Sequence, residues 1–157
     1  MRKRLPIIIC LLCLLAAGCS KQRQSPAVAH PKRFTAKAVR IFADGTSYDL
    51  TLEARFTGSR VKAALQGEIN GQQVDQNFAL DGAKAERWLK IASGTAFLRP
   101  EEQTSRVEAG GTIEVHLYDA EDEAAAGEPR NPGEWRNLII EAIRIAQLNE
   151  TGLPKEK

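Results

Sequence analysis

The Asn70-Gly71 dipeptide and its flanks constrain the fold of this chain most strongly. Asn-Gly between two alternating apolar segments is the strongest short-range signal for a β-hairpin, because both turn residues accept positive φ. Before it, Val61, Ala63, Leu65 and Ile69 alternate with Lys62, Gln66 and Glu68. After it, Gln72 to Leu80 pairs back. A two-residue turn sets Val61 opposite Leu80, Ala63 opposite Phe78 and Gly67 opposite Val74. Three apolar levels then coincide, and a slip of one residue would expose all of them. Gln76 opposite Leu65 is the polar exception and points to an edge or a neighbouring loop.

The same reading extends toward the N-terminus. Tyr48, Leu50, Leu52, Ala54 and Phe56 alternate with Asp49, Thr51, Glu53 and Arg55. The segments Phe34–Ala43 and Thr46–Phe56 are expected to pair about an Asp44-Gly45 turn. With that turn Ile41 faces Tyr48, Val39 faces Leu50, and Arg40 meets Asp49 as an opposite-charge pair, while Lys37 falls against Leu52. Residues 34–80 thus read as a four-stranded antiparallel meander.

Beyond Asp81-Gly82 the pattern changes. Ala85, Trp88, Leu89 and Ala92 share a helical face, and the Ala, Lys, Glu and Arg content favours a helix over 83–92. A loop leading into a strand at 88–92 is the alternative. Thr95–Arg99 reads as a brief strand stopped by Pro100, residues 100–111 as a loop, and Thr112–Tyr118 as a strand with Ile113, Val115 and Leu117 inward. His116 then lies on the opposite face beside Glu114 and Tyr118. Asp119–Gly133 reads as a solvated acidic loop, since calcium-loop spacing is absent. Asn131, Pro132 and Glu134 have the order of N-cap, first helical position and an acid three residues after the cap. Trp135, Leu138, Ile139, Ala142, Ile143 and Ala146 follow at helical spacing, so 135–148 is expected to be a helix packed on the sheet, with a strand over 139–148 as the alternative. The fold class expected is a β-rich α+β domain: an antiparallel meander or small sandwich with a C-terminal helix packed on it.

The N-terminus carries a different kind of signal. Arg2, Lys3 and Arg4 precede a short apolar run from Leu5, and Ala16-Ala17-Gly18-Cys19 follows. This is the order of a basic region, an apolar region and a small-residue cleavage site. Leu5–Gly18 falls short of the ~17 residues that a spanning helix needs, and Lys21 and Arg23 follow at once. The segment Leu15-Ala16-Ala17-Gly18-Cys19 resembles the lipobox of bacterial lipoprotein precursors, with Ala16 where Leu is commoner. The resemblance implies cleavage before Cys19, a diacylglycerol on the Cys19 thiol and acylation, such as palmitate, of the new amino end. Ser20 rather than Asp after the cysteine implies sorting to the outer membrane, facing the periplasm.

Cleavage would change the composition that matters. Of 22 basic residues, Arg2, Lys3 and Arg4 would go, leaving 19 against 20 acidic ones, so no basic balance argues for nucleic acid. Cys10 and Cys13 would go too, and no intramolecular disulfide could form around Cys19 alone. The expected organisation is a signal peptide at 1–18, a lipidated flexible tether at 19–33, one β-rich periplasmic domain at 34–152 and a short tail at 153–157. The tether holds Lys21, Arg23, Lys32 and Arg33 and no acid, so attraction to anionic head groups is one reading and plain solubility the other.

No Gly-rich phosphate loop, nucleophile elbow or zinc motif is present in the sequence. His30 has no ligating neighbour in the tether, and His116 on a strand with acidic neighbours and no nucleophile reads as an ordinary surface histidine. The expectation is therefore a non-enzymatic lipoprotein without catalytic residues, metal or cofactor. It would be tethered to the bilayer through Cys19 and act as a structural, assembly or protein-interaction factor of a secretion, pilus or outer-membrane complex. A small-ligand or metal-binding lipoprotein with a groove between sheet and helix is the first alternative, and an enzyme built from scattered residues the second.

Overall fold

The computed structural model describes residues 28, 30–41, 45, 47–99, 102 and 111–150. Six strands form one antiparallel sheet: β1 (Arg33–Ile41), β2 (Ser47–Thr57), β3 (Arg60–Ile69), β4 (Gln72–Asp81), β5 (Thr112–Asp119) and β6 (Asp122–Gly127). The helices α1 (Gly82–Ser93) and α2 (Pro132–Glu150) pack on it. The strand order is β4-β3-β2-β1-β5-β6, so the first four strands are a meander and β5 returns to the far side of β1. The expected β-rich α+β architecture holds, as a single sheet rather than a sandwich. Both 83–92 and 135–148 are helical.

The Asn70-Gly71 turn forms as its residues require, with φ of 51° and 79°. Val61↔Leu80, Ala63↔Phe78 and Gly67↔Val74 are direct partners, with Gln76 opposite Leu65 at the edge strand. The turn also anchors its neighbour: Asn70 Oδ1 accepts from the Ser47 amide at 2.7 Å, and the Asn70 amide donates to the Ser47 carbonyl at 2.9 Å.

The β1–β2 register departs from expectation by one residue. The connection spans 42–46, Arg40 lies opposite Tyr48 and Val39 opposite Asp49, so the Arg40–Asp49 pair and the Lys37–Leu52 mismatch do not arise. The reason lies on both sides of β1. Phe34, Ala36 and Ala38 face inward, where they meet Ala54, Leu52 and Leu50 of β2 and Leu117, Val115 and Ile113 of β5. The opposite phase would turn Arg33 and Lys37 into the core, at the cost of desolvating two charges. Val39 is left on the outer face, 37% exposed.

Two further expectations change. Thr95–Arg99 is not a strand; only Phe97 bridges to Pro129. Asp119–Gly133 is not all loop, because residues 122–127 form β6. That strand pairs with β5 through a bulge, with Tyr118 opposite Glu123 and Leu117 opposite Ala125, so Ala124 is the extra residue. A bulge breaks the period-two pattern by which a strand is read.

Phe34 centres the core. Its ring meets Trp135 of α2 edge-on at 5.0 Å and lies 6.1 Å from Trp88 of α1. Each indole N–H has a partner: Trp88 donates to Glu141 at 2.9 Å, and Trp135 donates to the Thr95 hydroxyl at 3.1 Å. That hydroxyl donates in turn to the Ile91 carbonyl at 2.8 Å. Arg87 pairs with Glu141 and closes the polar rim where α1 meets α2.

Gly67 lets β2 and β3 approach: a Cβ there would stand 2.1 Å from the Asp49 carbonyl oxygen, and its φ is +135°. Gly67→Ala is expected to destabilise the domain by about 2–3 kcal/mol through strain and clash. Urea unfolding followed by circular dichroism measures it, and a loss under about 0.5 kcal/mol would mean the strands part without cost.

Candidate functional site

Among the described residues the helices cover one face of the sheet, and no helix or strand covers the other. Because β-strand side chains alternate, the residues between the core positions all emerge on this outer face. The registers line them up in transverse rows. One row runs Ala79, Lys62, Arg55, Arg33, Tyr118, Glu123 across all six strands. Three cations therefore lie side by side on adjacent strands, an arrangement that costs energy unless something offsets it.

Glu53 offsets part of it. Its carboxylate lies 3.6 Å from Arg33 and 3.3 Å from Arg55. The Arg33 guanidinium also lies over the Tyr118 ring, 4.0 Å from its centre, and its side chain is only 21% exposed. Lys62 forms no ion pair among the described residues. Arg60, one step beyond the row, is held at 2.6 Å by Asp81, whose hydrogen bond and charge raise its pKa further.

The neighbouring row places His116 between two carboxylates. Nδ1 lies 2.7 Å from Glu123 Oε2, and Nε2 lies 3.4 Å from Glu114 Oε1. Since an ionised carboxylate only accepts, the Nδ1–H donates to Glu123 and ties β5 to the bulged β6. Glu114 was foreseeable from spacing; Glu123 was not, because 119–133 reads as a loop, whereas the turn at 120–121 sets Glu123 opposite Tyr118. Among the described residues no cluster of His, Cys, Asp and Glu has the makings of a metal site.

The two sheet edges differ. β6 has six residues, a bulge, and Asp122 and Glu123 at its start. The chain at 96–98 guards its far end, where Leu98 donates to the Glu128 carbonyl and Arg130 donates to the Ala96 carbonyl, each at 2.8 Å. Short length, bulges, charge and cover are the usual protections of an edge. β4 has ten residues in unbroken register with β3 and carries no Lys, Arg or Pro. Its two acids are engaged on the β3 side, Asp75 by Gln66 and Asp81 by Arg60. Among the described residues no backbone pairs with its outer side.

Between sheet and helices the packing is dense: Phe34, Trp88, Trp135, Leu138 and Ile139 are buried. A cleft beside Trp135, lined by Thr95, Pro129, Asn131 and Glu134, measures about 10 Å³, the room of a single water.

Of the residues singled out in the sequence, Cys19, Cys10 and Cys13 lie outside the described residues, as do Lys21 and Arg23. His30 is exposed just before β1. Lys32 and Arg33 enter the sheet: the Lys32 amide donates to the Tyr118 carbonyl and its carbonyl accepts from Phe56, each at 2.9 Å. Among the described residues no helix is long and apolar enough to cross a membrane. Comparison with protein-family models, with curated proteins and with solved structures gives no match to this chain.

Glu53→Gln would remove the carboxylate that Arg33 and Arg55 share, beside Lys62. A loss of about 0.5–1 kcal/mol is expected at low salt, shrinking at ~0.5 M salt as the repulsion is screened. Urea titrations at both ionic strengths check this; a salt-independent deficit would assign Glu53 a packing role instead.

Proposed function

We propose that this chain is an envelope lipoprotein, anchored by an acylated Cys19 in the outer membrane and facing the periplasm. Its domain acts as a structural or assembly factor that holds another envelope protein. The observation that carries this reading is the contrast between the edges: β6 is short, bulged and acidic, whereas β4 is long and regular and, among the described residues, no strand pairs with its outer side. A strand from a partner added there would gain main-chain hydrogen bonds, with side-chain specificity supplied on alternate positions. Val74 and Phe78, half-buried along the helix side of that edge, would be covered further by such a strand.

The packing between sheet and helices supports a surface-binding role over a ligand groove, because a drug-sized ligand occupies hundreds of Å³. The N-terminal segment supports the anchor: the small residues before Cys19 and the basic start are the features that lipoprotein processing requires.

Crosslinking in intact envelopes followed by pull-down tests the reading. Wild type is expected to take up labelled palmitate and to enrich a defined envelope protein. Cys19→Ser is expected to lose the label and the enrichment together. Asn77→Lys with Ala79→Lys places two cations on exposed positions of β4, a natural way to block an edge. It is expected to keep the label and lose the partner. Equal enrichment with all three proteins would sink the edge as the binding element, and palmitate uptake by Cys19→Ser would sink the anchor.

A further inference from the structure

We infer that the cation row Lys62–Arg55–Arg33 is a docking surface for anionic lipid head groups of the bilayer that holds the tether. It sets which way the domain stands on the membrane. The inference rests on the lipoprotein reading for the identity of the surface, and on the geometry of the row for its chemistry.

Of three in-register cations, Arg33 and Arg55 share one carboxylate, Glu53, so the group carries a surplus of positive charge. Lys62 adds no ion pair of its own among the described residues, and Arg55 is 59% exposed. Guanidinium groups bind phosphate oxygens in pairs, and Arg33 is held in place for this by its stacking on Tyr118. The place of the row matters as much as its charge. β1 begins at Arg33, so the chain coming from Cys19 enters the sheet at one end of the same row, directly after the exposed Lys32.

Tether length alone cannot orient the domain. The stretch from Cys19 to Arg33 reaches at most ~50 Å when extended, more than the width of a six-stranded sheet. Charge supplies the missing direction. The β5–β6 turn at the same end of the sheet carries Asp119, Glu121 and Asp122, all exposed. Head groups that attract Lys62, Arg55 and Arg33 repel this turn. The domain then leans on the β2–β3 side, with Lys32 and Arg33 beside the surface.

The chain from residue 19 carrying Cys19→Ser tests this without any acyl group. It contains every buried side chain described, from Pro31 to Ala146. Flotation with vesicles of about 30 mol% phosphatidylglycerol in phosphatidylcholine, at ~0.1 M salt, is compared with phosphatidylcholine alone. Binding is expected on the anionic vesicles only. Arg55→Gln with Lys62→Gln should weaken it about 25-fold, roughly fivefold per charge. Arg55→Lys with Lys62→Arg should retain it, and circular dichroism with unchanged melting confirms that each variant is folded. Lys21→Gln with Arg23→Gln separates the tether: the face variants must still weaken binding in that background.

Equal flotation of the Gln variants and the parent would overturn the inference, as would absence of binding to anionic vesicles. So would loss of a crosslinked protein rather than of vesicle binding in the Gln variants, which would make the row a protein contact. Palmitate uptake by wild type in cells with no vesicle binding would leave the anchor standing and remove this inference. Vesicle binding without palmitate uptake would do the reverse, leaving the cation row as a lipid-binding face and removing the anchor.

Discussion

Phe34 holds this domain together. It stands on β1, the strand with β2 on one side and β5 on the other, and it is the ring on which Trp88 and Trp135 both converge. One aromatic side chain thus joins the sheet to both helices. Edge-on and tilted aromatic contacts add about 0.5–1.5 kcal/mol each beyond the area they bury. The rest of the inner face of β1 is made small to suit: Ala36 and Ala38 leave room for the helices to come close. The indole N–H groups would be costly in such a site without acceptors, and Glu141 and Thr95 supply them.

This core decides where interaction can occur. Because α1 and α2 lie on one face, among the described residues the other carries charge, and Phe34, Trp88, Trp135, Leu138 and Ile139 fill the space between the layers. The strand order then sorts the edges. β5 and β6 arrive late in the chain and end in a bulged, acidic, partly covered strand. β4 ends the meander on the other side, with no strand beyond it among the described residues. A partner strand at β4 and a lipid surface at the cation row would use different parts of the sheet, so one domain would serve both without competition.

Legibility followed the range of the forces involved. The β3–β4 hairpin was readable to the residue, because Asn70-Gly71 fixes the turn and the apolar alternation fixes the phase. The second helix was readable from Asn131-Pro132 and the spacing of Trp135, Leu138, Ile139 and Ala142. The first was readable in propensity, although a strand at 88–92 fitted nearly as well. Phase failed at β1, where Val39 and Ile41 look like core residues and Ala36 and Ala38 do not. Only the neighbours on both sides, with Leu117, Val115 and Ile113 opposite Phe34, Ala36 and Ala38, show which set turns inward. Residues 119–128 looked like a loop because acids and alanines have little β-propensity and the bulge interrupts their alternation.

The candidate site divides in the same way. The basic start, the apolar run and the small residues before Cys19 are linear features, so the sequence alone determines the case for an anchor. The turn at Asn70-Gly71 and the start of α2 are determined there too, since each depends on residues a few positions apart. The tertiary structure alone aligned Lys62, Arg55 and Arg33, brought Glu123 to His116 and placed β4 at the edge of the sheet among the described residues. Each of these is a property of strand register and strand order, over seven residues for His116 and Glu123 and over twenty-two for Arg33 and Arg55. Which strands become neighbours beyond a hairpin is settled by how the inner face packs around Phe34, as it is where β5 comes to lie beside β1.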